Sequence, residues 1–158
     1  MKRLNPRITF LGILSLLTLV LITSCSKDDN GPGGNPPNGS HYKITATLNN
    51  VNPQDDYVSI VVSGGNLAGK TDVWKVNGVV KTGESAVGLN DGDFSGTTKT
   101  YVIETTVPIR AFAGGVQIIN YGENLPLSFK IEKDNKTIVN ENLTLTGDGD
   151  DFTKQYSF

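Results

Sequence analysis

Hydrophobic and polar residues alternate along much of the chain after residue 41. In the run from Tyr42 to Leu48, every second residue is apolar and the residues between are lysine or threonine. A period of two places the apolar row on one face of a β-strand, and this predicts a strand. Strands with the same or a shorter alternation are predicted at 57–62, 73–76, 79–82, 99–107, 116–121, 127–132, 137–146 and 152–158.

Turn signals separate these runs. Asn77-Gly78 predicts a tight hairpin, because both central residues of a type I′ turn need positive φ, and Asp134-Asn135 predicts a second turn. The Gly-, Asn-, Asp- and Ser-rich residues 83–98 predict a long loop. Pro108 to Ala113 predicts a single helical turn, since proline is favoured at the first helical position.

Eight or nine short strands without helical periodicity predict an all-β domain over residues 41–158. We expect an antiparallel β-sandwich of immunoglobulin-like architecture, with a small closed β-barrel as the alternative. The predicted core consists of Ile44, Leu48, Ile60, Val62, Trp74, Ile103, Phe129, Ile131, Leu145 and Tyr156. We expect four charged side chains, Lys43, Lys75, Lys130 and Glu132, to face solvent.

The first 24 residues have the pattern of a secretory signal peptide. Lys2, Arg3 and Arg7 precede an apolar run from Phe10 to Ile22. As a helix, this run spans roughly 20 Å against a hydrocarbon core of about 30 Å, so a cleaved signal is favoured over a transmembrane helix.

The end of this segment carries the single cysteine of the chain. Ile22, Thr23, Ser24 and Cys25 resemble the lipobox of bacterial lipoproteins, with isoleucine where leucine is most frequent. The resemblance implies that Cys25 receives a diacylglycerol thioether, that the signal is cut immediately before it, and that two or three acyl chains, such as palmitate, anchor the mature chain. The alternative is an unmodified buried thiol.

The residues that follow predict an address and a tether. Ser26, where an aspartate favours inner-membrane retention in such lipoproteins, implies the outer membrane, and Lys27 to Asp29 resembles the tract that exports some of them to the cell exterior. A periplasm-facing position is the alternative. The stretch from Cys25 to Ser40 is rich in Gly, Pro and Asn and has no large apolar residue, so we expect a flexible tether.

Charge and cysteine content exclude several classes of function. Without Lys2, Arg3 and Arg7, eleven basic residues remain against sixteen acidic ones, a net charge of −5, and Arg110 is the only arginine. Nucleic acid is therefore excluded as a partner, because phosphate binding needs clustered basic residues. With Cys25 acylated, the domain has no thiol for a disulfide, a metal cluster or a nucleophile.

One polar motif resembles the first half of a calcium loop. Oxygen-bearing side chains occupy its first, third and fifth positions and glycine its sixth; the candidate ligands are Asp91, Asp93 and Ser95. Position twelve is Val102, where a bidentate glutamate would be required. Glu104 or the turn 148–151 could supply the missing ligand, and an ordinary solvated turn is the alternative. Apart from this calcium we expect no cofactor.

Catalytic signals are weak. His41 is the only histidine, residues 83–88 only approach a nucleophile-elbow pattern, and scattered glutamates such as Glu104 and Glu132 would have to be brought together to act as a pair. We therefore expect no catalytic residue. Trp74, Tyr121 and Tyr57 are candidates for stacking on sugar rings, although a lone tryptophan in a sandwich of this size usually lies in the core.

The mature part resembles small uncharacterised β-domain lipoproteins, which carry no motif from which functional residues can be transferred. We expect a non-catalytic binding or adhesion module for a glycan or protein, with residues 83–98 as its recognition loop. The first alternative is a structural subunit that contacts an envelope protein through the strand at 152–158. An enzyme is the second alternative, and it is ranked last because one histidine and no thiol leave few catalytic groups.

Overall fold

The described part of the chain, residues 38–158 of a computed structural model, contains ten strands and one short helix. The predicted signal peptide, Cys25 and Lys27 to Asp29 lie outside the described residues. The elements in chain order are β1 (Tyr42–Leu48), β2 (Tyr57–Gly65), β3 (Trp74–Val76), β4 (Val79–Val80), β5 (Ala86–Asn90), α1 (Asp91–Ser95), β6 (Thr100–Thr105), β7 (Ala111–Asn120), β8 (Leu125–Lys133), β9 (Lys136–Leu145) and β10 (Asp150–Ser157).

The strands form two antiparallel sheets around one hydrophobic core. The six-stranded sheet has the order β4-β3-β6-β1-β8-β9, and the four-stranded sheet has the order β10-β7-β2-β5. Within residues 38–158 both sheets end in edge strands and do not close on themselves. The predicted antiparallel sandwich is therefore confirmed, with ten strands instead of eight or nine, and the closed-barrel alternative is wrong.

The core is formed by the inward rows that the period of two predicted. Nine of the ten predicted core side chains are buried, and Ile44, Ile60 and Trp74 are completely so. The exception is Tyr156 near the end of the edge strand β10, which is partly buried and packs against the core. Of the side chains predicted to face solvent, Lys43 is exposed, whereas Lys75, Lys130 and Glu132 are partly covered.

Both predicted turns are confirmed. Asn77 and Gly78 have φ of 46° and 81° and connect β3 to β4, with Val76 opposite Val79. Asp134 and Asn135 have φ of 49° and 64° and connect β8 to β9. Asparagine, aspartate and glycine tolerate this left-handed region better than other residues, which is why the sequence signal was reliable.

The predicted loop 83–98 is wrong over residues 86–95, because these residues form β5 and α1. Val87 and Leu89 are buried and pair with Val62 and Ile60 of β2, so a short strand completes the smaller sheet. Its outward residues are alanine, glycine and asparagine, and these gave the segment the composition of a loop.

The helical turn predicted for Pro108 to Ala113 is also wrong. β7 begins at Ala111 and pairs with β2 as far as Gly65, whose carbonyl accepts a hydrogen bond from Arg110 N at 2.8 Å. Pairing with β2 on one side and β10 on the other stabilises extended backbone here, which outweighs the local preference of proline for a helix start.

The N-terminal junction is part of the fold. Ser40 N donates to Ile109 O, and Ile109 N donates to Ser40 O, each at 2.9 Å. Gly39 has φ of +86°, and a Cβ on it would lie 2.6 Å from Ile109 O. Only glycine fits at position 39 without rearrangement. With the Ser40–Ile109 hydrogen bonds, this close contact begins the ordered fold two residues before the predicted start of the domain.

Candidate functional site

The outer face of the six-stranded sheet carries a row of alternating charges, which we call the charged face. Strand register places Lys75, Glu104, Lys43 and Glu132 side by side on β3, β6, β1 and β8. Lys75 Nζ lies 3.2 Å from Glu104 Oε2, and Lys130 Nζ lies 3.1 Å from Glu132 Oε2. The sheet thus brings two glutamates to one surface, but each has a lysine partner, one on the neighbouring strand and one on the same strand, as in a ladder of surface ion pairs.

A groove of about 530 Å³ at the N-terminal edge of this face contains the single histidine. His41 N donates to Asp134 Oδ1 at 2.9 Å, and His41 Nδ1 lies 3.5 Å from Thr105 Oγ1. Desolvation acts to raise the pKa of Asp134, but this hydrogen bond and the positive charges nearby outweigh it and hold the pKa below its usual value. The His41 imidazole therefore has a threonine neighbour, while the His41 backbone N–H is bonded to Asp134, an arrangement that stabilises the start of β1.

The predicted calcium residues lie in α1, a single helical turn instead of an open loop. Asp93 Oδ2 accepts a hydrogen bond from Asn90 N at 2.7 Å, and Ser95 Oγ donates to Gly92 O at 2.9 Å. Residues two apart on a helix point to different sides, so Asp93 does not share a face with Asp91 and Ser95. The three predicted ligands are thus not directed at one point.

The two outside ligands considered for this loop are also misplaced. Glu104 is paired with Lys75 on the charged face. The turn 148–151 leads into β10. This strand lies three strand spacings, about 14 Å, from β5, the strand that directly precedes α1. Among residues 38–158 no group of three or more Asp, Glu, His or Cys side chains is arranged to hold a metal ion. The donor set at α1 does not fit calcium.

Two buried polar residues that the sequence analysis missed organise the end of the sandwich at which α1 lies, here called the loop end. Asp56 accepts from Asn52 N at 2.8 Å and from Tyr121 N at 3.2 Å. Asn120 Nδ2 donates to Glu123 O and Leu145 O, each at 2.9 Å. These contacts tie together the β1–β2, β7–β8 and β9–β10 connections. The Asn-Pro-Gln-Asp-Asp sequence at 52–56 was the available signal for a side-chain-stabilised turn.

The three candidates for sugar stacking, Trp74, Tyr121 and Tyr57, do not form one platform, because Trp74 lies in the core as predicted. Trp74 is completely buried and makes an edge contact with Phe112 at a centroid distance of 6.4 Å. Tyr57 and Tyr121 are 47% and 61% exposed, and Tyr57 projects from the outer face of the four-stranded sheet. Tryptophan is a core residue here, and only the tyrosines are accessible to a ligand.

The outer face of the four-stranded sheet has almost no charge, and we call it the neutral face. Its outward residues are Tyr57, Ser59, Val61 and Ser63 of β2; Ala86, Gly88 and Asn90 of β5; Ala113, Gly115, Gln117 and Ile119 of β7; and Thr153, Gln155 and Ser157 of β10. Asp151, at the loop end of β10, is the one charged residue in these outward rows.

A trough of about 390 Å³ crosses the neutral face over β7. Val61 of β2, which is 45% exposed, forms one wall, and Gln155 and Ser157 of β10 form the other. Gly115 lies on the floor, directly between Val61 and Gln155 in the register, and a Cβ built on it meets nothing within 4 Å. The trough is therefore open because this position has no side chain.

Comparisons with known proteins identify the fold. No family model and no curated protein matches the chain. Among solved structures, a DUF4425 family protein from Bacteroides ovatus is similar with a TM-score of 0.56 and 15% identity, covering 76% of this chain and 94% of that chain. A protein from Parabacteroides distasonis, in its calcium-bound form, gives 0.57 and 19%, covering 83% and 98%. A DUF4425 domain of unknown function from Bacteroides vulgatus gives 0.56 and 13%, covering 75% and 93%. At these identities the likeness shows a shared β-sandwich fold.

Proposed function

We propose that the chain is a non-catalytic binding module, held by lipid on Cys25 in the outer membrane and facing the cell exterior. The location is supported by the lipobox-like residues Ile22 to Cys25, by Ser26 and by Lys27 to Asp29. Within the described residues no helix has the length and apolarity to cross a bilayer. Attachment through an acylated Cys25 is the mode of membrane association that the lipobox-like residues Ile22 to Cys25 imply.

The neutral face is the observation that carries the binding function. Surfaces of small acidic domains are normally covered with charged side chains, as on the charged face, whereas here Val61 and Tyr57 are about half exposed among small and amide residues. The core does not require this composition, because the inward residues of the same strands form it. A surface with one charged residue and mostly small side chains is suited to a ligand that must lie close to the sheet.

The test compares one substitution on the two outer faces. Val61→Lys places a charge in the neutral face, and Val102→Lys places the same charge on β6 in the charged face. Cells displaying each variant are measured for attachment to surfaces coated with neutral polysaccharide, mucin or envelope protein. We expect Val61→Lys to reduce attachment about tenfold and Val102→Lys to leave it unchanged. Equal attachment by both variants would refute a binding role for the neutral face.

A structural subunit remains the second candidate, supported by the position of β10 at the edge of its sheet. An edge strand presents unpaired backbone groups to a partner strand. A photoreactive side chain at Lys154, which is exposed on β10, would crosslink to an envelope protein in this case. The same group at Val61 would crosslink to the ligand of a binding module.

The location has its own test. Mass analysis of the purified protein is expected to show an acylated amino terminus at Cys25 and the loss of residues 1–24. Replacing Lys27, Asp28 and Asp29 by alanine should preserve acylation and protect the domain from protease added to whole cells. An intact Met1 species with a free Cys25 thiol, or equal proteolysis of both forms, would contradict the respective step.

Calcium binding is a further part of the proposal, supported by the calcium-bound form of the Parabacteroides distasonis neighbour and by the acidic residues near the loop end. The donor set at α1 does not fit calcium, so a second position is tested beside it. Asp93→Asn removes a carboxylate from α1, and Asp55→Asn removes one from the depression beside Glu123. A rise in Tm with millimolar calcium that only one variant abolishes would locate the site. No rise for the wild type would exclude calcium.

A further inference from the structure

We infer that the trough on the neutral face binds a neutral oligosaccharide chain, an inference that rests on the proposed binding function. The trough lies over β7 between Val61 on one side and Gln155 and Ser157 on the other. These two walls stand on strands β2 and β10, which are two strand spacings, about 10 Å, apart. The space admits one extended chain lying along β7, whereas an α-helix with its side chains needs a diameter of 10–12 Å.

The backbone beneath the trough argues against an extended peptide as the ligand. β7 pairs with β2 along Ala111 to Ile119 and with β10 along Ala113 to Asn120. Because β7 is paired on both sides, the floor offers a peptide backbone no ladder of the kind that strand addition uses. A ligand in the trough must find its hydrogen bonds in the side chains of the walls.

Those side chains have the chemistry that sugar hydroxyl groups require. Gln155 provides an amide that both donates and accepts, and Ser63 and Ser157 provide hydroxyl groups. Val61 provides an apolar surface for the C–H face of a sugar ring, and the half-exposed ring of Tyr57 lies four residues back along β2. Hydroxyl-rich ligands are matched by this mixture of amide, hydroxyl and apolar groups.

The absence of charge determines which sugars fit. None of the eight residues that line the trough is ionisable near neutral pH. A uronic acid, a sulfated sugar or a cationic peptide would lose hydration on entering without gaining an ion pair. The net charge of −5 expected for the chain from residue 25 also disfavours acidic glycans. A neutral glycan meets neither obstacle.

Two glycines allow a matched experiment. Gly115 forms the floor of the trough, and Gly88 lies on the opposite side of Val61, outside the trough. Neither has positive φ, and a Cβ on Gly115 meets nothing within 4 Å while one on Gly88 approaches only to 4.0 Å. Valine is favoured in strands, so Gly115→Val fills the trough and Gly88→Val adds the same group to the same face without filling it.

The purified full-length protein in detergent is titrated calorimetrically with hexasaccharides of glucose, mannose and galactose, and with hexagalacturonate as the charged comparison. We expect at least one neutral hexasaccharide to bind, Gly115→Val to weaken it by at least about tenfold, and Gly88→Val to change it by less than about twofold. Unchanged binding in Gly115→Val, or tighter binding of hexagalacturonate, would overturn the inference.

A parallel measurement separates this inference from the proposed function. If no neutral sugar binds but Val61→Lys still reduces attachment to protein-coated surfaces, the binding module stands and its ligand is a protein. Sedimentation of the wild type and Gly115→Val tests whether a second copy of the chain occupies the trough. A dimer that is lost only in Gly115→Val would assign the face to that second copy and overturn the sugar assignment.

Discussion

The charged face and the neutral face lie on opposite sides of one core, and both consist of strands with the same inward pattern. Outward, the six-stranded sheet alternates lysine and glutamate across four strands, whereas the four-stranded sheet presents glycine, alanine, serine, glutamine and a few apolar side chains. Because the inward rows alone build the core, the outward rows are not constrained by folding. Their difference therefore supports the proposal that the neutral face is the one that contacts a ligand.

The inward rows of the two sheets are expected to contribute equally to stability. Ile60 in β2 and Ile44 in β1 are completely buried on centrally placed strands, one beneath each face. We expect Ile60→Ala and Ile44→Ala each to lower the free energy of unfolding by about 2–5 kcal/mol through lost transfer energy and a residual cavity. Urea denaturation of the full chain measures both. A loss below about 1 kcal/mol for either would mean that its sheet is poorly packed.

Adjacent glycines of β7 sharpen the contrast between inside and outside. A Cβ on Gly114 would lie 3.1 Å from the Phe112 ring, which cannot move freely because it stacks on Tyr42 at 4.8 Å. We expect Gly114→Val to cost about 1–3 kcal/mol by overpacking, while Gly115→Val, which points outward into open space, leaves stability nearly unchanged. Thermal melts of the two variants provide the measurement, and equal Tm values would show that the two positions do not differ in packing.

The ladder on the charged face is expected to contribute little. Lys75 and Glu104 are each about one-third exposed, so a double-mutant cycle with alanine should give a coupling of about 0.2–1 kcal/mol. Added salt should reduce it, because screening acts on exposed ion pairs. A coupling well above this range would mean that the charged face, and not only the core, holds the strands in register.

Acid pH is expected to produce the smallest difference. Although desolvation opposes it, the hydrogen bond from His41 keeps the pKa of Asp134 below its usual value of 3.8. A lowered pKa means that the ionised group stabilises the fold above the unfolded value, and that this contribution is lost as pH falls through the folded value. Asp134→Asn retains the acceptor oxygen but not the charge. Urea midpoints should therefore differ at pH 7 and coincide near pH 2; a constant difference would exclude this role.

Much of the fold followed from local signals in the sequence. The period of two identified the inward residues of β1, β2, β6 and β8, and residues that tolerate positive φ marked the two tight turns. These signals are local because side-chain alternation and left-handed backbone depend on neighbouring residues alone. Besides the short helix α1, the prediction missed β5 and the start of β7. Their outward or flanking glycine, asparagine and proline resemble loop composition, and pairing with β2 made them strands.

The candidate site followed from no local signal. The neutral face depends on which strands become neighbours, and the order β10-β7-β2-β5 is not the order of the chain. Val61 and Gly115 are 54 residues apart in sequence, and Gly115 and Gln155 are 40 apart, yet the three lie in one row. The calcium motif is the opposite case: its residue spacing indicated a site, but the helical backbone of α1 directs the side chains of the predicted ligands apart.

The mutual hydrogen bonds between Ser40 and Ile109 would have a mechanical consequence if the chain is anchored through Cys25, as proposed above. A pull on that segment reaches these two bonds first and then β1, which is paired with β6 on one side and β8 on the other. Force directed along a strand loads all its cross-strand bonds together, so they do not open one after another. The domain would thus resist unfolding when its N-terminal segment is pulled along β1, because the pull is applied to a middle strand of the larger sheet.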